Sequence, residues 1–189
     1  MIDTGRPRIA PLPRARWGAD ALELLRGDVP GGREGETSNF LTTLVRDPSL
    51  LGLLMGFIRR LWVNSSIPLR DRELIVLRAT WLCQSPYAWS EHVRIAQSQG
   101  IDHADIQRVV DGPDAAGWDE FDRAIVRAVD QLHATATVAD EAWQVLATRY
   151  TEEQLLEFPM LAGLYHLVSW TQNAAGIQPN PGAAGLAAR

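Results

Sequence analysis

Two residues in one short stretch have the side chains and spacing to move a proton: Glu73 and His92, nineteen positions apart. On a helix that starts at Pro86, the residues three and four places from His92 are Ala88, Trp89, Ile95 and Ala96, all apolar. Glu91, Arg94, Gln97 and Ser98 fall on the other side, so His92 points toward a core or a pocket. An imidazole in such a place can donate or accept a proton near neutral pH. The same position also suits a histidine that is simply packed in a core. Glu73 shares a helical face with Leu77 and Thr80, beside Leu74, Ile75 and Val76. A carboxylate buried there needs a partner; near a helix start it is also favoured by the macrodipole alone.

Further candidates stand around this pair. Tyr87 is five residues before His92, about 140° around the helix, and shares a pocket with it only from the helix end. Trp89 is either core packing or a substrate platform. His133 follows the apolar face of Val129 and Leu132 and either lines a pocket or complements the end of its helix. Tyr165 and His166 lie on the last long helix, where His166, Trp170 and Asn173 share one face. That face lines a pocket, an interface or the core. Asp102, His103 and Asp105 have metal-ligand side chains, yet they sit where Asp102 is an ordinary N-cap, so no metal is assigned to them. Cys83 is the sole cysteine. It cannot form an internal disulfide or a multi-thiolate metal site, and it reads as a small core filler.

The elements that must position these groups are all helical. The pattern predicts helices over 19–26, from Ser38, from Asp47-Pro48, from Leu69 to Leu82, from Ser85-Pro86 to Gly100, and over 104–110. Others follow through Phe121–Leu132, over 139–148, and from a Thr151 capping box to Gly176. Ser85 reads as an N-cap. Leu50, Leu53, Leu54, Phe57, Ile58, Leu61 and Trp62 read as one apolar stripe. The turn at Gln84 to Pro86 predicts an antiparallel hairpin that places Glu73 nearer the far end of the second helix, so a contact with His92 depends on the other helices. The segment Val29 to Glu36 is a loop. Residues 1–16, rich in Pro and Arg, read as an extended arm: a free terminus or a strap across a neighbouring subunit. Residues 177–189 read as a mobile tail.

Composition narrows the class. With 189 residues, 46% apolar and 22% charged, the chain suits one globular domain. A formal charge of −5 gives no basic footprint for nucleic acid. The run Leu50 to Ile58 is too short to span a bilayer, and the first seventeen residues lack the apolar stretch of a secretory signal, so a cytoplasmic location is expected.

The runs Arg72 to Arg78, Tyr87 to Ala96 with Gly100, Phe121 to Val138, and Leu161 to Val168 with Asn173 and Gly176 resemble the carboxymuconolactone decarboxylase family of the alkylhydroperoxidase-like superfamily. The resemblance covers about residues 38–178, leaving 1–37 as arm, short helix and loop and 179–189 as tail. It implies an all-α, alkylhydroperoxidase-like helical bundle and a homo-oligomer, trimer or hexamer. The peroxidase branch pairs a glutamate with a CxxC dithiol and a histidine; Glu73 and His92 hold the matching spacing, but the thiol positions are Ser85 and Ala88. The decarboxylase branch implies cofactor-independent acid–base chemistry on a small organic acid or lactone, in aromatic degradation, with His92 first and Glu73 second as catalytic residues. Tyr87, Trp89, His133, Tyr165 and His166 are the expected pocket residues. A peroxidase-like protein with a degenerate redox site and a non-catalytic binding or assembly protein are the alternatives on this scaffold.

Overall fold

The computed structural model describes residues 6–25, 38–180, 183 and 186. Every regular element among them is helical: α1 Ala19–Leu24, α2 Asn39–Leu44, α3 Pro48–Ile58, α4 Leu69–Leu82, α5 Pro86–Ser98, α6 His103–Asp111, α7 Glu120–Thr135, α8 Asp140–Leu146 and α9 Glu152–Ala175. The start signals explain most of the boundaries. Asp47, Asp102 and Asp119 accept the backbone N–H of Leu50, Asp105 and Asp122 at 2.9, 2.7 and 2.7 Å. Thr151 and Gln154 close the expected capping box, and α9 continues through Pro159. Asp102 thus serves as the N-cap expected of it. The loop read over 29–36 lies outside the described residues.

The core is organised around α4, which packs against α5, α6, α7 and α9. Leu74, Ile75, Val76, Leu77 and Ala79 are fully buried, covering its whole circumference. A helix apolar all round is an interior helix, and burying one such side chain contributes about 1.5–3 kcal/mol. Arg72, Glu73 and Arg78 are buried in it too, and each has partners. Arg78 donates to both oxygens of Asp130 on α7 and to the Val109 carbonyl at 2.7 Å. Gly112 makes room for that guanidinium: at φ 97° it has no side chain, and a Cβ there would stand 3.1 Å from Arg78 Nη2.

Four sequence readings are corrected. Ser85 holds the N-cap position of α5, but its side chain makes no cap bond; its hydroxyl is fully buried and donates to Gln172 Oε1 of α9 at 2.8 Å. The hydroxyl is turned toward a packed neighbour instead of the amides of its own first turn. The stripe read along α3 is split: Leu54 and Ile58 pack against the core, whereas Leu50, Leu53 and Phe57 are exposed. After Ile58 the helix widens into a π-helical turn, Arg59–Val63, that swings Leu61 and Trp62 inward. The arm straps its own chain rather than leaving it: Arg8 and Ile9 donate to the Ala175 carbonyl, and Leu12 to that of Thr42. The start of the tail is also tied down. Ile177 is buried, and Asn180 bonds to the Asn39 amide, the Tyr87 hydroxyl and Glu91.

Candidate functional site

Glu73 occupies the second turn of α4 and is fully buried. Its Oε2 accepts from His92 Nδ1 of α5 at 2.8 Å. Its Oε1 accepts from the Trp62 indole at 2.9 Å and from Arg72 Nε at 3.2 Å. Arg72 also donates Nη1 to the Trp62 carbonyl, and its guanidinium lies 5.3 Å from the Trp62 ring centre. A buried carboxylate is therefore held by three donors from three elements, which is what its burial requires.

His92 is itself buried and is flanked by two aromatic edges. The Tyr165 ring of α9 stands perpendicular to the imidazole at 4.8 Å, and the Trp62 ring crosses it at 5.6 Å and 84°. The orientation is fixed from both sides and at Nδ1. A carboxylate accepts only, so Nδ1 carries a hydrogen and Nε2 is the nitrogen left for exchange.

The electrostatics follow the packing. Burial works to raise the Glu73 carboxyl, but the charge and hydrogen bond of His92, the Trp62 indole and Arg72 outweigh it and hold the group below its usual range. Tyr165 is pushed far up, first by burial and then by the Glu73 charge, so it stays a neutral phenol. Burial pushes the Cys83 thiol up to about 11, with Ser169 pulling the other way. His166 is lowered, chiefly by burial, with His133 adding to the effect and its bond to the Ala162 carbonyl opposing it.

The structure thus brings together His92, Glu73 and Tyr165. It places the other expected residues elsewhere. The Tyr87 hydroxyl is held by Ser38 at 2.6 Å and Asn180 at 3.0 Å, at the opposite side of the helix from His92, as the 140° offset requires. Trp89 packs in the core against Trp81 at 5.1 Å between ring centres. His133 and His166 face each other, with Nδ1 of the first 2.9 Å from Nε2 of the second. Trp62 and Arg72 were missed. A signal for Arg72 existed, since an arginine adjacent to a carboxylate expected to be buried is a natural partner. Trp62 reaches Glu73 from the π-helical turn, whose geometry no periodicity announces.

The connection that carries Trp62 to α4 is anchored by Glu157 of α9. It accepts from Ser65 Oγ, from the amide and hydroxyl of Ser66, and from Arg60 at 3.0 Å. Those bonds hold the Glu157 carboxyl below its usual range against the upward pull of burial.

Solved structures share this arrangement of helices. The alkylhydroperoxidase AhpD core of an uncharacterised peroxidase-related protein from Ralstonia eutropha JMP134 superposes with a TM-score of 0.76 at 19% identity, covering 92% of this chain and 93% of its own. The debrominase Bmp8 gives 0.75 at 18% identity, covering 92% of each chain. A peroxidase-related protein from Silicibacter sp. TM1040 gives 0.70 at 17%, covering 93% of this chain and 90% of its own. A comparison with curated proteins finds no match. The fold is therefore the AhpD-like helical fold. The chain matches the model of the carboxymuconolactone decarboxylase family over residues 48–140.

Proposed function

We propose that this protein is a cofactor-independent acid–base enzyme, a lyase or isomerase that decarboxylates a small carboxylated lactone, with His92 as the proton-transfer residue. The observation that carries this reading is the 2.8 Å bond between His92 Nδ1 and the fully buried Glu73 carboxylate. Glu73 fixes the tautomer of the ring. Arg72 balances the charge of Glu73. With His92 protonated the three groups carry one net positive charge, which suits an anionic substrate.

The reaction needs little else. The bond between the ring carbon and the carboxylate breaks, carbon dioxide leaves, and the electron pair moves into the conjugated lactone carbonyl. His92 then gives a proton to carbon and recovers one from solvent. General acid–base help of this kind is typically worth about 10²–10⁴ in rate. The test is carbon dioxide release from 4-carboxymuconolactone by the purified protein. Stoichiometric release above the spontaneous rate supports the reading. Its absence, with the protein folded, rejects this substrate.

We further propose a homo-oligomer. Leu156, Met160, Leu167 and Trp170 are exposed along α9 with Gly163 between them, at alternating spacings of four and three. That is the seam of a helix that packs against another helix. Leu50, Leu53 and Phe57 add an exposed apolar face on α3.

A further inference from the structure

The turn after α4, the last turn of α7 and the middle of α9 converge on a second cluster, distinct from the Glu73–His92 pair. They bring Cys83, His133 and His166 together with their possible ligand atoms all within 4.8 Å of one another. Tyr165, which touches His92, and His166 are consecutive on α9 and project about 100° apart, so the two clusters lie on different faces of that helix.

We propose that Cys83, His133 and His166 form a binding site for a single transition-metal ion of the zinc class, with three protein ligands and an open fourth position. The donor set comes first: one sulfur and two imidazole nitrogens suit zinc and its neighbours and exclude magnesium and calcium.

The surroundings are built for such a role. His166 Nδ1 lies 2.8 Å from the Ala162 carbonyl, which can only accept. The neutral ring therefore keeps its hydrogen on Nδ1 and presents a lone pair at Nε2, toward His133. Ligand histidines are oriented in this way by a carbonyl on the far nitrogen. The Cys83 carbonyl is fixed by Asn173 Nδ2 at 2.8 Å, which ties the turn to α9. Ser169, one turn beyond His166, is fully buried, and its hydroxyl has no partner within hydrogen-bond distance among the described residues. It faces the Cys83 sulfur and pulls that thiol down, against the upward push of burial. A buried hydroxyl without an acceptor is costly, and a thiolate at Cys83 would supply one.

The geometry needs only local adjustment. A tetrahedral ion with bonds of about 2.0 Å to nitrogen and 2.3 Å to sulfur spaces its ligand atoms about 3.3–3.6 Å apart. The two imidazoles now share one hydrogen at 2.9 Å, donated by His133 Nδ1. On binding, His133, which is exposed, moves that hydrogen to Nε2 through solvent. Cys83 releases its proton to water, and the ion exchanges waters for the three ligands. The exposed side of His133 leaves the fourth position to water or an external ligand.

The experiment uses the full-length chain without an affinity tag, stripped with a chelator and titrated with Co²⁺ and then Zn²⁺. The expected result is one equivalent of Co²⁺ with a near-ultraviolet sulfur-to-metal charge-transfer band, displaced by Zn²⁺. Cys83→Ser should abolish that band. Cys83→Ser, His133→Ala and His166→Ala should each weaken Zn²⁺ binding by on the order of 100-fold, at the upper end of what loss of an outer-shell partner costs. His103→Ala, on the exposed start of α6, should bind like the wild type. Should a ligand variant fail to fold, alkylation of Cys83 in the wild type decides: Zn²⁺ should slow it. Absence of the charge-transfer band, alkylation indifferent to Zn²⁺, or binding that survives all three ligand substitutions would overturn the proposal.

Discussion

Glu73 is the residue on which the account of the site turns, because it is a fully buried carboxylate held by three donors. Removing its charge strands the Arg72 guanidinium in the interior. Glu73→Gln should therefore cost about 3–5 kcal/mol at neutral pH, the usual loss when one partner of a buried pair is taken away. The sign of its pH dependence is fixed by the depressed carboxyl. Its contribution to stability is fully present above the ordinary value of 4.5 and fades as pH falls through the lower folded value. The difference between wild type and Glu73→Gln in urea unfolding should shrink as pH drops below about 4.5. A constant difference down to pH 3 would mean the carboxylate is not held as described. The residues at the dithiol positions carry a second expectation. Ser85 is engaged with Gln172, Ala88 has no thiol, and Cys83 is pushed up to about 11. Peroxide consumption with a dithiol reductant should match that of Cys83→Ser; strong turnover lost in the variant would contradict this.

Among the elements, α9 joins the site, the second cluster and the surface. Its inner face supplies Tyr165 to His92, and its outer face carries the Leu156–Trp170 seam. If that seam is the interface between copies, Leu167→Glu should lower the mass seen by light scattering while leaving the helical circular dichroism unchanged. An assembled Leu167→Glu protein would place the interface elsewhere. Helix boundaries were legible in the sequence because they are local: Asp47, Asp102 and Thr151 satisfy backbone donors within one turn. Contacts decided at a distance were not. Ser85 has the residue type of an N-cap, but Gln172, 87 positions away, takes its hydroxyl. The arm has the composition of a loose terminus, and its bonds to the end of α9 are not written in that composition.

At the scale of the whole molecule, the hairpin of α4 and α5 explains why Glu73 meets His92. Counting outward from Gln84, Glu73 lies eleven residues back and His92 eight forward, an offset of about 4.5 Å along the helices that two extended side chains bridge. The sequence placed both residues on their helices, and the fold closed the gap. No helix among the described residues is long and apolar enough to cross a bilayer. The cluster of His92, Glu73 and Arg72 is held by α4, α5, α9 and the π-helical turn together, so its chemistry is a property of the assembled fold. The central claim is that His92 moves the proton, and its most direct test is turnover of carboxymuconolactone by His92→Ala. With helical content and assembly unchanged, kcat should fall by about 10²–10⁴, and added imidazole should restore part of it. A folded His92→Ala protein that turns over like the wild type would contradict the claim and leave His92 as a packed core residue.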